Sequence, residues 1–213
     1  AMRYAVLGGG KRVRALLAFA AGELTGASDE ALAGVGAALE MIHGYSLGHE
    51  DLPCMDNDLL RRGKPTCHVR FVEAGARLAG DALTPAAMAL LARLPLPAGR
   101  RIALGEELSE ASGLTGMCGG QAVDLESTGC FATREELSAM HSMKTGALIL
   151  AAVRMGAMAG DEALCRAAEA PLSAYARSVG LAFQVIDDIL DATASAEDLG
   201  KTPGKDARDN KAT

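Results

Sequence analysis

Residues 49–63 read HEDLPCMDNDLLRRG, with Glu50, Asp51, Asp56 and Asp58 crowded just ahead of Arg61 and Arg62. Like charges at such spacing repel, so the stretch is either a solvated loop or a site where cations hold the carboxylates together. Magnesium suits the second case, because it takes oxygen ligands and commonly bridges carboxylates to the phosphates of a ligand. A second acidic group, Asp187, Asp188 and Asp191, stands in AFQVIDDILDA among apolar residues. Gln184, Asp187 and Asp191 follow each other at three and four positions and share one face of a helix. Carboxylates buried on such a face are costly unless something pairs with them. His43 and Glu50 are two helical turns apart and also share a face. Two carboxylate-bearing helices around one pocket would clamp magnesium on a diphosphate.

A diphosphate also calls for protein cations, and the chain offers them in four places. Lys11, Arg12 and Arg14 stand in GGGKRVR, where glycines permit close backbone approach. Arg61 and Arg62 follow the first acidic cluster, Lys144 lies in KTGAL, and Lys201 and Lys205 lie in GKTPGK. Arginine grips phosphate oxygens with two N–H groups, whereas lysine acts as a point charge. GGGKRVR lacks the G-x-x-x-x-G-K-[ST] order and is no P-loop.

The elements that must carry these residues are helices. Hydrophobic residues make up 49% of the 213, dominated by the helix formers Ala, Leu and Met, while aromatics are 3%. We expect helices over 14–26, 29–49, 68–94 with a break near Thr84–Pro85, 102–118, 119–127, a segment opening on a Thr133–Glu136 capping box and running through Lys144, and one or two helices over 161–193. Residues 52–68 read as a loop, and 195–213 as a charged, glycine-bearing loop. No repeat, linker or composition shift divides the chain, so one domain over 1–213 is expected, with residues missing at both ends. The balance of 27 acidic against 21 basic residues, a net charge of −6, argues against a nucleic-acid partner. No apolar run reaches the roughly 20 residues of a membrane span. The five cysteines show no C-x-x-C pair and fit free thiols in the cytoplasm.

In chain order, GGGKRVR, HEDLPCMDNDLLRRGKPTCH, KTGAL, FQVIDDILD and LGKTPGKD resemble the motifs of the short-chain trans-isoprenyl diphosphate synthases of the polyprenyl synthetase family, most of all the bacterial farnesyl type. The likeness spans nearly the whole chain. It implies an all-α isoprenoid-synthase bundle around a central cavity, usually a homodimer, that condenses isopentenyl diphosphate with dimethylallyl or geranyl diphosphate. By the same resemblance Glu50, Asp51 and Asp56, with Asp187, Asp188 and Asp191, would hold three magnesium ions. Arg61, Lys144 and Lys201 would hold the allylic diphosphate, and Lys11, Arg14, His43 and Arg62 the isopentenyl diphosphate. Thr145 and Gln184 would face the reacting carbons, with 195–213 as a closing lid.

Product length in this family is set by a bulky residue before the first acidic motif. That position is Tyr45, followed by Ser46, and with the insertion bearing Pro53 and Cys54 it implies a C15 product, the alternative being C20. The chain departs from the family's H-D-D-L-P-x-M-D-x-D-D-L-R-R-G at Glu50 and Leu59. Glu50 keeps the charge on a longer arm, which leaves a catalytically impaired regulatory homologue as a second reading. A cyclase is a third, and the cations for a second diphosphate argue against it.

Overall fold

In a computed structural model the described residues are 1–129 and 133–193, without the side chains of residues 188 and 191–193. The side chains of Asp188 and Asp191, together with Lys201 and the expected lid at 195–213, lie outside them.

The described chain is helical: α1 (Met2–Leu7), α2 (Val13–Leu24), α3 (Asp29–Glu50), α4 (Cys67–Leu91), α5 (Ala98–Ser112), α6 (Met117–Glu126), α7 (Arg134–His141), a π-turn (Ser142–Gly146), α8 (Ala147–Met158) and α9 (Glu162–Thr193). Its strands are the two-residue β1 (Leu60–Arg61) and β2 (Lys64–Pro65), an antiparallel ladder within the loop after α3. Among the described residues no helix is long and apolar enough to cross a membrane.

α3 is the central post. Ser28 caps it by accepting from the Ala31 N–H at 3.3 Å, and Asp29 and Glu30 place negative charge at its positive end. Leu32, Leu39 and Ile42 are fully buried with Leu104, Leu108, Leu148 and Met155 in one core shared by α3, α5 and α8. Each such side chain contributes roughly 1.5–3 kcal/mol of burial. α2 and α8 approach closely because Gly156 has no side chain: a Cβ there would lie 2.1 Å from the Ala18 carbonyl oxygen. Buried Thr25 fastens the far ends of α2 and α8, donating to Ala157 O at 3.0 Å while its own carbonyl accepts from Asp161 N at 2.7 Å.

Three boundaries differ from expectation, and the simplest is that α5 opens at Ala98 rather than at 102. α4 continues through Pro85 and breaks instead at Phe71 and Val72, where Val72 takes φ 58°. Pro85 is tolerated because Leu83, Ala87 and Leu91 are anchored in the core on both sides of it. The earlier break is imposed by tertiary contacts, since Phe71 packs edge-on to Tyr4 at 5.4 Å with the Arg70 guanidinium over both rings. The α5–α6 boundary falls at 113–116 rather than at 118–119, where Gly113 and Gly116 leave the helical conformation and the chain turns so tightly that a Cβ on Gly116 would lie 2.1 Å from the Ala111 carbonyl oxygen. The capping box forms as expected, with Thr133 and Glu136 each accepting from the other's backbone N–H. The segment 161–193 is one helix that contains Pro171.

Candidate active site

The C-terminal half of α3, the loop after it, α2, α4, α6, α7, the π-turn and α9 line a cavity of about 810 Å³. Arg14, His43, Tyr45, Ser46, Glu50, Asp56, Arg61, Arg62, Lys144, Thr145, Gln184 and Asp187 all line it. Residues drawn from sequence positions 14 to 187 thus converge on one space. Lys11 is exposed and lies outside this lining, and Asp51 is buried on the far side of Arg61, where it lines a smaller void of about 50 Å³.

The loop after α3 is held by its own charges. Arg61 donates from Nε and Nη2 to Asp51 Oδ1 at 2.8 and 2.7 Å, and from Nη2 to Glu50 Oε2 at 3.1 Å. Burial alone would lower the Arg61 guanidinium, but Glu50, Asp51 and Asp58 outweigh it and hold it above its ordinary value. Burial pushes the Asp51 carboxyl up against the pull of the same arginine. Lys144 closes the opposite wall: its Nζ lies 2.7 Å from Asp124 Oδ2 and 3.0 Å from Glu50 Oε1. Here too burial acts downward and the Glu50 and Asp124 carboxylates raise the ammonium above its usual range. Next to it Thr145 Oγ1 donates to Gln184 Oε1 at 3.1 Å, tying the π-turn to α9. The π-turn puts consecutive residues of one segment on the cavity wall, and such one-turn bulges commonly mark functional positions.

A second group, two arginines and a histidine, stands apart from these. Arg14, His43 and Arg62 line the same cavity near the α1–α2 loop. Gly9 and Gly10 take φ 109° and 112°, which glycine alone adopts readily, and a Cβ on Gly10 would lie 2.6 Å from the Arg62 guanidinium carbon. Arg62 Nη1 donates to the Gly9 carbonyl. Arg12, itself at φ 53°, holds the loop by donating to Glu40 Oε2 at 2.6 Å and to Val6 O at 2.7 Å. His43 is pushed well below its ordinary value by burial and then by Arg14, Arg62 and Arg61, so its neutral form is favoured.

Tyr45 stands at another part of the lining. Its hydroxyl lies 3.3 Å from Cys118 Sγ, and its ring meets His49 edge-on at 4.9 Å. His49 Nε2 in turn reaches the Arg77 carbonyl oxygen at 2.9 Å. Leu59 is 62% exposed and outside the cavity lining, so that departure from the motif removes a charge from the surface.

Sequence reasoning missed Asp124 and Gln121 on α6, and His49, Arg77 and Asp81 near Tyr45. A signal for the first two was present. Gln121 and Asp124 repeat the Q-x-x-D spacing of Gln184 and Asp187 on a second helix.

The oxygen donors suit a hard divalent cation. Glu50, Asp56 and Asp58 face the cavity from one side and Asp187 from α9. Among the described residues no three of His, Cys, Asp or Glu converge to cage an ion by themselves.

The sequence matches the polyprenyl synthetase family over residues 1–213, and the chain belongs to that family. It is 52% identical over 215 residues to a probable farnesyl diphosphate synthase of Sinorhizobium fredii, covering all of this chain and 65% of that protein. It is 50% identical over 216 residues to the farnesyl diphosphate synthase of Escherichia coli, covering all of this chain and 72% of that one. The chain therefore spans roughly two thirds of the length of these relatives, 65% of the first. Among solved structures, the geranyltransferase of Helicobacter pylori complexed with magnesium and isoprenyl diphosphate superposes with a TM-score of 0.87 at 36% identity, over all of this chain and 71% of that one.

Proposed function

We propose that the protein joins isopentenyl diphosphate head-to-tail to dimethylallyl and geranyl diphosphate, giving farnesyl diphosphate and diphosphate. One observation carries this reading. A single cavity holds carboxylates on two walls beside Arg61 and Lys144, and a separate pair of cations, Arg14 and Arg62, with the neutral His43 between the same elements. Two anionic ligands thus have two distinct receptors in one space, which a cyclase acting on one diphosphate would not need.

Magnesium bound by Glu50, Asp56 and Asp187, with Asp188 and Asp191 of the same helix, would neutralise charge on the leaving diphosphate. Lys144 and Arg61 stand ready as fixed cations for the same phosphate oxygens. Lys201 is assigned the same role by family resemblance. Arg14 and Arg62 would orient the second diphosphate, with neutral His43 donating a hydrogen bond; Lys11 is assigned the same role by family resemblance. The allylic C–O bond breaks, and the double bond of isopentenyl diphosphate attacks the cationic carbon. The proton released from the new chain passes to the departed diphosphate. Thr145 and Gln184 flank the reacting carbons, and water has to be kept from the cation while it exists. Tyr45, with Ser46 beside it, forms the floor that limits the product to C15.

A homodimer goes with this reading, as the resemblance to the family implies. Cytoplasmic location is supported by the free thiols of Cys54, Cys67, Cys118 and Cys165.

The test is to incubate the full-length protein with magnesium, isopentenyl diphosphate and geranyl diphosphate, and to chromatograph the dephosphorylated products. Farnesol that disappears with chelator is the expected result. A C20 alcohol would keep the reaction class and overturn the floor. A cyclic hydrocarbon from the allylic substrate alone would indicate a cyclase. No turnover by folded, full-length protein would refute the reading.

A further inference from the structure

Two helices flank the π-turn with the same four-residue pattern. On α6, Gly120 faces the backbone of Lys144: a Cβ there would lie 2.3 Å from the Lys144 nitrogen and 2.7 Å from its Cα. Four residues on, Asp124 accepts from the Lys144 ammonium at 2.7 Å. On α9, Gly180 faces the backbone at the end of the turn, where a Cβ would lie 3.2 Å from Gly146 Cα. Four residues on again, Gln184 accepts from the Thr145 hydroxyl at 3.1 Å. Residues four apart sit one above the other on a helix face, so each helix offers the turn a gap and then a polar grip.

Neither glycine is needed for its backbone angles, since neither has a positive φ. Glycine within a helix is otherwise unfavourable. Space against the π-turn is what both positions provide. We propose that Gly120–Asp124 and Gly180–Gln184 form a two-sided clamp on the π-turn, and that Gly120 and Gly180 are positioning residues that set where the Lys144 ammonium and the Thr145 hydroxyl stand in the cavity. The clamp acts on both coordinates of the turn. The glycines fix how near its backbone lies to α6 and α9, and the polar groups fix where its side chains aim. This inference rests on the condensation proposed above for its catalytic consequence.

The structure ranks the two positions. At Gly120 the obstacle is main chain at 2.3 Å, which a flexible side chain cannot relieve, while at Gly180 the neighbour must yield by only a few tenths of an ångström. G120A should therefore lower kcat about 100-fold, the effect expected of a misplacement near 1 Å. G180A should lower it about tenfold, a smaller loss on the same scale.

Double-mutant cycles separate positioning from general damage. If Gly120 works through Lys144, G120A adds nothing to K144A. If Gly180 works through Thr145, G180A adds nothing to T145A. A readout without turnover runs in parallel: calorimetric affinity for inorganic diphosphate in the presence of magnesium. It should weaken in G120A and remain at the K144A level in the double variant. Equal, additive losses in both backgrounds would overturn the clamp, as would unchanged kcat and diphosphate affinity in a folded G120A. Should G120A lose its helical circular dichroism, the G180A and T145A cycle decides. Should the wild type bind diphosphate but turn nothing over, the proposed reaction falls and the diphosphate cycle alone decides the clamp.

Discussion

Glu50→Asp restores the residue that the family motif has at this position, and the structure predicts that the change trades stability for activity. Glu50 Oε1 lies 3.0 Å from Lys144 Nζ, and its Oε2 lies 3.1 Å from Arg61 Nη2. The longer arm of glutamate thus reaches across the cavity and holds a lysine that the proposed reaction needs for the allylic diphosphate. Removing one methylene draws the carboxylate back by about one carbon–carbon bond, roughly 1.5 Å. The ion pair would open to about 4.5 Å. At an effective dielectric constant near 20, the attraction falls from about 5.5 to about 3.7 kcal/mol, a loss near 2 kcal/mol. Asp124 at 2.7 Å keeps the ammonium partnered, so this is an upper bound for the Glu50–Lys144 pair alone, to which any loosening of the Arg61 contact adds. For a domain of this size, 2 kcal/mol corresponds to a melting temperature lower by about 4–8 °C. Differential scanning calorimetry checks that figure. In the condensation assay the ammonium, released from Glu50 though still paired with Asp124, should bind the leaving diphosphate better, so kcat/KM for geranyl diphosphate should rise in E50D. A variant with an unchanged melting temperature and no gain in kcat/KM would show that the Glu50–Lys144 pair neither stabilises the fold nor restrains the site. That result would refute the reasoning.

Three further outcomes follow from the same structure. Tyr45→Ala removes the ring held by Cys118 and His49, and the main product should lengthen from C15 to C20 by chromatography; an unchanged chain length would mean the floor lies elsewhere. Leu39→Ala empties a fully buried position on the central post and should cost about 2–5 kcal/mol in urea unfolding, while a loss under 1 kcal/mol would contradict the core assignment. His43→Gln tests the depressed histidine. Between its unfolded value of about 6.5 and its lower folded value, the unfolded chain takes up a proton that the folded chain refuses, so wild-type stability falls with acidification. The difference in melting temperature between wild type and H43Q should therefore shrink from pH 7.5 to pH 5.5, and a difference that holds or widens would show that His43 is not kept neutral by its surroundings.

Much of this molecule was legible in its sequence because the relevant physics is local. The capping box at Thr133 and Glu136 needs only its own four residues, and it formed as expected. Helix spacing placed His43 with Glu50, and both face one cavity. What was not legible depends on partners distant in the chain. Proline chemistry pointed to a break in α4 at Pro85, yet buried neighbours held the helix there and Tyr4, some 67 positions from Phe71, imposed the break elsewhere. Asp51 shows the same limit at the site. Its place in the acidic run puts it beside Glu50, but only the packing of Arg61 reveals that it is buried away from the large cavity while Glu50 faces into it.

Glu50 brings the two scales together. At the level of sequence, glutamate for aspartate is a conserved charge with an added methylene, and its effect has no sign. The sign comes from what stands at the end of the longer arm, which is Lys144, held in place by a turn between α6 and α9. If α6 lay further away, the ammonium would sit out of reach and the substitution would leave the cavity unchanged. The consequence of one methylene on α3 is thus set by how closely a glycine on α6 lets the π-turn approach, so the effects of E50D and G120A should not be additive. G120A, by displacing Lys144, should already weaken the Glu50 pair, and the gain in kcat/KM expected from E50D should be lost in the G120A background.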